Sequence, residues 1–156
     1  MKKTIEAFVN DKTLALVGAS ANTKKWGYML TKALIKKGYT VVPVNPNYQE
    51  IDGMKCYGSV TEIPSTIQNV IIATPPGQSE KVANDCVAKG IKRVWFIKGG
   101  GEGSLSDKAL EICRTNNIEV VYGFCPMMFF PPVGIHKLHL KIKEWKGSVP
   151  AEYKMH

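Results

Sequence analysis

The most constraining feature of this chain is an apolar run that ends in a Gly-Ala-Ser turn and leads into a helical pattern. Residues 14–20 read Leu-Ala-Leu-Val-Gly-Ala-Ser, and the helical periodicity starts at Trp26. A buried strand that ends in such a turn leaves backbone N–H groups unpaired where the helix begins, and the helix dipole adds positive potential there. The segment therefore predicts a strand–turn–helix unit that cradles an anionic nucleotide.

Short apolar runs alternate with helical patterns along the chain, which is typical of a parallel sheet covered by helices on both faces. Five runs are rich in Val and Ile with little polar alternation, as expected of strands buried on both faces. They are residues 13–17, 40–45, 69–74, 93–98 and 118–122. Right-handed crossovers favour a doubly wound, Rossmann-like α/β fold with the strand order 3-2-1-4-5.

Helical patterns fill most of the connections between these strands. The predicted helices are residues 26–37, about 78–89, a segment from Ser104 or Ser106 to 116–117, and a short leading helix over 4–10. The crossover 48–64 is interrupted by glycines and a proline, so we expect at most one turn of helix there. Residues 135–145 fit either a strand or a helix.

Length and composition bound the organisation of the chain. With 156 residues, 44% of them hydrophobic, it is long enough for one α/β core and too short for an additional substrate domain. We therefore expect a single domain over 1–156, with a core of about 13–128 and a C-terminal extension over 129–156. No run approaches the roughly 18 apolar residues of a membrane span, and no secretory signal is present. These patterns predict no membrane segment and a cytoplasmic location.

The charges and the cysteines narrow the choice of partner and compartment. The formal net charge is +8, but the lysines and arginines are scattered, so a nucleic acid is not favoured over a multiply charged small anion. The four cysteines are widely spaced and form no Cys-x-x-Cys pair, which favours reduced thiols.

Two missing features narrow the type of nucleotide. Dinucleotide enzymes usually show Gly-x-Gly-x-x-Gly in the first turn and an acidic residue at the end of the second strand. Here the glycine after Gly18 is Gly27, and the second strand ends in Val44-Asn-Pro-Asn47. The missing carboxylate removes a ribose anchor and also a repulsion against phosphate, which suits a ligand with a phosphorylated ribose. An oxidoreductase or redox sensor that uses NAD or NADP remains the alternative.

The whole pattern resembles the small coenzyme A binding proteins, single Rossmann-like domains related to the nucleotide-binding half of the succinyl-CoA synthetase alpha subunit. The motifs that carry the resemblance, which spans residues 13–128, are Val17-Gly-Ala-Ser20, Lys24, Gly27, Gly38-Tyr39, Val42-Val-Pro-Val-Asn-Pro46, Tyr57, Ile63-Pro64, Ala73-Thr-Pro-Pro76 and Gly123-Phe-Cys125. The resemblance implies a coenzyme A or acyl-CoA binding protein that acts as carrier, sensor or partner subunit of an acyl-CoA ligase. No catalytic constellation is found, so a binding protein is favoured over an enzyme.

The resemblance also implies which residues bind the ligand. The first turn and its lysine would hold the pyrophosphate, the loop after the second strand would pack along the adenosine, and the proline-containing loop after the third strand would form the opposite wall. The turn after the fourth strand departs from the family, which often has glutamine there. The implied ligand-binding residues are Gly18, Ala19, Ser20, Lys24, Asn45, Pro46, Asn47, Thr74, Pro75, Pro76, Lys98 and Gly99.

Three features near the C-terminus carry secondary hypotheses. Cys125 follows the last strand, where a redox role competes with the favoured reading as a buried structural thiol. His136 and His139 suit one helix face, but even with Cys125 a fourth metal ligand is missing, so a surface pair is favoured. The apolar segment 127–130 is expected to pack on the core, or to form a homodimer contact if it is exposed.

Overall fold

The main sheet consists of five parallel, mostly apolar strands. In the computed structural model, which describes residues 1–98 and 101–155, they are β1 (Thr13–Val17), β2 (Thr40–Val44), β5 (Asn69–Ile72), β6 (Arg93–Ile97) and β7 (Glu119–Phe124). A small antiparallel hairpin in the crossover after β2 contributes β3 (Glu50–Ile51) and β4 (Met54–Lys55). All five predicted strands are therefore present.

Helices cover both faces of the sheet. They are α1 (Lys2–Asn10), α2 (Trp26–Lys36), α3 (Pro76–Lys89), α4 (Asp107–Thr115), α5 (His136–Trp145) and α6 (Ala151–Lys154). Successive side chains of β1 divide between two apolar clusters, because strand residues alternate between faces. Leu14 and Leu16 pack with residues of α1, α2 and the C-terminal segment, whereas Ala15 and Val17 pack with residues of α3 and α4. The predicted α/β class is confirmed.

The predicted strand order is wrong in one respect. The strands lie in the order β2-β1-β5-β6-β7, so the third main-sheet strand pairs with the first and not with the outer edge of the second. The reason lies in the crossover, where Tyr57 forms a parallel bridge with Val44. The amide of Tyr57 donates to the carbonyl of Pro43 at 3.0 Å, so the outer edge of β2 is already covered. The open edge of β1 then accepts β5.

This order places the reversal of the winding between β1 and β5. The connection after β1 leads to α2 on one face, and the connection after β5 leads to α3 on the other. The carboxyl ends of two such strands diverge to leave a crevice, the usual ligand position in open α/β sheets. The sequence predicted this reversal between the first and fourth strands of the sheet. In the structure it lies between the first and third, β1 and β5.

The structure confirms the predictions for the helix cap and the crossover, and it decides between the two alternatives for residues 135–145. Ser106, and not Ser104, caps α4, because its Oγ accepts a hydrogen bond from the amide of Ala109 at 3.1 Å. The crossover contains one short 3-10 turn, Val60–Glu62, as expected, and residues 136–145 resolve the open alternative as a helix. Within the described residues, no helix has both the length and the apolarity needed to cross a membrane.

Candidate functional site

Two glycines allow the turn after β1 to lie in close contact with the backbone of its neighbours. Gly18 has a φ of +92°, and a Cβ there would lie 3.0 Å from the carbonyl carbon of Ala73, at the end of β5. A Cβ on Gly27 would lie only 1.9 Å from the carbonyl oxygen of Gly18. The first turn of α2 therefore contacts the backbone of the turn directly, which only glycine permits.

The rest of this turn is fixed by short-range hydrogen bonds. The Oγ of Ser20 accepts from the amide of Asn22, and the Oδ1 of Asn22 accepts from the amide of Lys24, both at 3.0 Å. Lys25 precedes α2 and contributes no side-chain cap. Tyr28 and Met29 donate their N–H groups to the carbonyl of Lys25, so in the first turn of α2 the N–H groups of Trp26 and Gly27 are the ones without an intrahelical acceptor. Together with the helix dipole they form a suitable environment for an anion.

Asn45 ties the loop after β2 to the turn after β1. Its Nδ2 donates to the carbonyl of Ala19 at 2.8 Å, and its Oδ1 accepts from the amide of Asn47 at 2.9 Å. The first contact requires a donor, which an ionised carboxylate at this position would lack. The amide thus explains structurally why the position is not acidic in this chain.

A cleft of about 640 Å³ opens between β1, β2 and α3. The residues that line it are Val17, Gly18, 44–47, 58–60, 73–75, Gly77, Gln78, Lys81, Val82 and Asp85. Its floor is apolar and its rim is polar, which is the usual character of a small-molecule site. We call it the first cleft.

A second cleft of about 450 Å³ shares the wall Ala73–Pro75 with the first. Its other lining residues are Trp26, Ile97 and Gly101–Gly103. Trp26, Pro75 and Ile97 make it more apolar than the first cleft, and Glu102 is its one ionisable lining residue among those described. The two clefts lie on either side of the loop after β5, at the reversal of the winding.

The shared wall holds a buried hydroxyl with no partner. Among the described residues, only the Oγ1 of Thr74 and the Nε of Arg93 are buried side-chain N or O atoms without a hydrogen bond. Leaving such a group unpaired costs about 1–3 kcal/mol. Because Thr74 borders both clefts, a bound ligand is the natural source of the missing partner.

Helix α3 presents one face to the first cleft. Its N-cap is Pro75, which supplies no side-chain cap, so the positive end of the helix dipole lies at the cleft wall. Lys81 lies at the rim with its Nζ 2.9 Å from Asp85 Oδ2, and its side chain is 77% exposed. An exposed ion pair of this kind is weak, so the ammonium is free to turn towards an anion.

Sequence reasoning missed the side of α3 that faces the first cleft, and it missed the segment 58–60. Gln78, Lys81, Val82 and Asp85 recur at intervals of three, one and three residues, which is the spacing of one helix face. That pattern was available in the sequence. It points to the cleft only once the position of α3 beside β1 is known.

The structure brings together half of the predicted ligand-binding residues. Those that line the first cleft are Gly18, Asn45, Pro46, Asn47, Thr74 and Pro75. Ala19 and Ser20 are buried in the turn, Pro76 begins α3, and Lys24 is exposed beside the turn without lining either cleft. Gly99 lies outside the described residues.

Lys98 lies at the end of β6 but does not line either cleft. Its Nζ donates to the carbonyls of Gly101 at 3.1 Å and Glu102 at 3.0 Å. The side chain therefore braces the loop that borders the second cleft.

The structure also shows the environment of the three C-terminal features: Cys125, the histidine pair and the segment 127–130. Burial raises the pKa of the Cys125 thiol, so at neutral pH it is in its protonated, less nucleophilic form. The rings of His136 and His139 lie 5.9 Å apart, and no group of three metal-ligating side chains occurs among the described residues. In the segment 127–130, Met127, Met128 and Phe130 are buried, so the apolar patch considered for a homodimer is not exposed.

Comparison with known proteins matches residues 12–131 to a family described as a CoA binding domain. An ADP-forming acetate–CoA ligase of Methanocaldococcus jannaschii is 32% identical over 142 residues, which cover 88% of this chain and 20% of the ligase. The alpha subunit of ADP-forming acetate–CoA ligase II from Pyrococcus furiosus is 32% identical over 88% of this chain and 30% of the subunit. A hypothetical protein from Pyrococcus horikoshii superimposes with a TM-score of 0.73, at 32% identity, over 81% of this chain and 86% of its own.

The chain belongs to the CoA binding domain family, and coenzyme A is the ligand that this membership assigns to it. It spans only a fifth to about a third of the length of the ligase relatives. The resemblance predicted from the sequence is confirmed. The alternative of NAD or NADP gains no support from the matches.

Proposed function

We propose that this protein holds coenzyme A across the reversal between β1 and β5 and acts as a carrier or sensor of coenzyme A or its acyl esters. The observation that carries the proposal is the pair of clefts separated by the wall Ala73–Pro75. Coenzyme A has a polar nucleotide half and a long, largely apolar arm. A polar and an apolar cleft on either side of an anion-binding turn suit these two halves.

The first cleft suits the phosphorylated adenosine. The loop Asn45–Asn47 and Pro75 supply flat, rigid walls for the base. Lys81 at the rim is positioned to meet the 3′-phosphate, while Asp85 accepts hydrogen bonds from a hydroxyl or amino group. The absence of an acidic residue at the end of β2 removes one source of repulsion from that phosphate, and the remaining carboxylate near it, that of Asp85, is paired with Lys81.

The pyrophosphate and the arm occupy the region between and beyond the clefts. The N–H groups of Trp26 and Gly27, in the first turn of α2, are the donors offered to the pyrophosphate, since the N–H of Gly18 already donates to the carbonyl of Val44. The arm then follows the second cleft past Trp26 and Ile97. The hydroxyl of Thr74 gains a partner from the ligand at the point where the two halves meet.

A role without acyl-transfer chemistry is favoured by the composition of the clefts. Among the described residues that line them there is no histidine and no cysteine. The ionisable side chains that do line them are Lys81 and Asp85, which are paired with each other, and Glu102. Histidine most often serves as the general acid or base, and cysteine is an intrinsically strong nucleophile. The cytoplasmic location stays a prediction from the sequence.

The second candidate role is that of a subunit that supplies the coenzyme A site to a separately encoded acyl-CoA ligase. The alpha subunit from Pyrococcus furiosus, whose alignment covers 88% of this chain, favours it. Co-purification with a larger ATP-binding chain would support this role over that of an independent carrier. A protein that purifies alone and binds coenzyme A with full affinity would support the carrier.

The test is a calorimetric titration of the reduced protein with coenzyme A, dephospho-coenzyme A, NAD and NADP in parallel. We expect coenzyme A to bind tightest, and loss of the 3′-phosphate to weaken binding about tenfold, the effect of one charge-assisted contact. Tighter binding of NAD or NADP would overturn the proposal.

Three lysine variants locate the phosphate contacts. Lys81→Ala and Lys24→Ala should each weaken coenzyme A binding by about 1–3 kcal/mol, because each removes a charge-assisted contact. For Lys81 the contact is with the 3′-phosphate, and for Lys24, beside the turn after β1, it is with the pyrophosphate. Lys36→Ala is the matched control, since Lys36 is an exposed lysine in the last turn of α2, at the end away from the site. Affinity that is unchanged in one variant removes that lysine from the site, and an equal loss in all three would reflect net charge alone.

A further inference from the structure

Helix α5 carries a stripe of exposed apolar side chains that the coenzyme A site does not use. The stripe comprises Ile135, at the residue before the helix, and Leu138, Ile142 and Trp145; their exposed fractions are 68%, 56%, 39% and 85%. Helix α5 itself contains no buried residue. Its inward contacts come from elsewhere on the helix: Leu140 packs on the core, and Lys143 Nζ donates to the carbonyl of Gly123 at 2.7 Å.

The spacing of the stripe is that of a coiled-coil seam. Its four residues are separated by three, four and three positions, so they fall within a sector of about 80° on a helix with 3.6 residues per turn. The order Ile, Leu, Ile, Trp places β-branched residues at both a positions and large apolar residues at both d positions. A stripe this narrow fits a single facing helix, whereas a helix that lies on a bilayer usually has a wider apolar face.

The residues beside the stripe specify the charge of the facing helix. In the same heptad register the e and g positions are His139, Lys141 and Lys146, and all three are exposed. A second copy of α5 would bring the lysines Lys141 and Lys146 against lysines of the first copy, which is destabilising. Acidic side chains on the facing helix would instead form pairs with them across the seam.

We infer that the exposed face of α5 is a docking surface for an amphipathic helix of another protein, whose apolar seam is flanked by acidic residues. The chain's net charge of +8 draws the same kind of partner. Only three turns of helix are available, so the contact by itself is weak and reversible. The surface is separate from both clefts, so this inference does not depend on the coenzyme A site.

The test uses two designed peptides of about 21 residues, long enough to be helical in water. Both have Ile at a and Leu at d; one has Glu at every e and g position and the other has Lys. Binding to the whole protein is followed by the anisotropy of a dye on the peptide. We expect the Glu peptide to bind about tenfold more tightly than the Lys peptide.

Neutral substitutions separate docking from simple charge attraction. Leu138→Ser and Ile142→Ser together should weaken the Glu peptide about tenfold without changing the net charge. Met155→Ser is the matched control, because Met155 is 76% exposed and lies outside α5; this variant should bind the peptide as the parent does. Far-UV circular dichroism spectra and thermal unfolding midpoints like those of the parent confirm that all variants are folded.

Three outcomes overturn the inference. Equal binding of the Glu peptide to the double variant and the parent would show charge attraction without a seam. A dimer in sedimentation equilibrium that Leu138→Ser disrupts would make a second copy the occupant. Binding to vesicles of phosphatidylserine and phosphatidylcholine that the double variant loses, with no preference for the Glu peptide, would make the occupant a membrane surface.

Discussion

The sheet and helix α5 place tryptophan in opposite environments. Trp95 in β6 is fully buried, its Nε1 donates to the carbonyl of Phe124 at 3.1 Å, and the ring of Phe8 lies 5.4 Å away in an edge contact. Trp145 at the end of α5 is 85% exposed. Apolar residues in the sheet hold the fold together, whereas those on α5 contribute little to it and remain available to a partner. A tryptophan therefore stabilises the fold in β6, whereas on α5 it forms part of an exposed surface.

The sharpest test of this comparison truncates each tryptophan. Trp95→Ala should lower the free energy of unfolding by about 4 kcal/mol, because it leaves a large cavity and removes the hydrogen bond from the indole to the carbonyl of Phe124. Trp145→Ala should change it by no more than about 0.5 kcal/mol. Urea unfolding followed by circular dichroism measures both, and similar losses in the two variants would contradict the contrast.

Substitution of glycine probes the close packing at the sheet edge. Gly27→Ala should cost about 3 kcal/mol, because the new Cβ would meet the carbonyl oxygen of Gly18 at 1.9 Å and backbone cannot yield cheaply. Gly77→Ala is the control, since a Cβ there meets nothing within 4 Å in helix α3. It should be neutral or stabilising by up to about 1 kcal/mol. A tolerated Gly27→Ala would show that α2 is not pressed onto the turn.

Cys113 in α4 and Tyr153 in α6 should affect stability in different ranges of alkaline pH. Burial raises the pKa of Cys113 in α4 to about 11, whereas burial and the hydrogen bond to Glu144 raise that of Tyr153 in α6 to about 12. A thiol that ionises first in the unfolded state stabilises the fold below pH 9, and this contribution is lost as the pH rises towards 11. Between pH 8 and pH 11 the free energy of unfolding of the parent should therefore fall by about 2 kcal/mol more than that of Cys113→Ala. Urea unfolding of both proteins across this pH range measures the difference.

The same measurement on Tyr153→Phe provides the comparison. Its effect should begin only above about pH 10, the ordinary pKa of a phenol. A change in the decline already below pH 10 would contradict this assignment, because it could not come from ionisation of the Tyr153 phenol.

The smallest predicted effect is that of the buried hydroxyl at the cleft wall. Thr74→Val should stabilise the free protein by about 1 kcal/mol, because it removes an unpaired polar atom at nearly constant shape. The same change should weaken coenzyme A binding several-fold. Thermal unfolding and calorimetry test the two halves, and a variant with unchanged stability and affinity would show that the hydroxyl serves neither.

Local signals predicted most of the elements and six of the seventeen residues that line the first cleft. Helix α3 and the cap at Ser106 follow from short-range periodicity and side-chain chemistry, and these do not depend on distant residues. The loop Asn45–Asn47 and Thr74 were located because they follow strands whose carboxyl ends meet at one edge. Lys81 and Asp85 were missed, since only the packing of α3 beside β1 turns their face of the helix towards the first cleft.

The sequence by itself determined the strands, the glycine turn after β1 and the kinship with coenzyme A binding proteins, because buried runs and glycine positions are local requirements of this fold. Tertiary structure alone decided the strand order, since this depends on which edges remain open once Tyr57 has covered β2. It also decided that the segment 127–130 turns inwards while the stripe on α5 faces outwards. Both segments are apolar, and only the competition for room against the sheet determines which of them is buried.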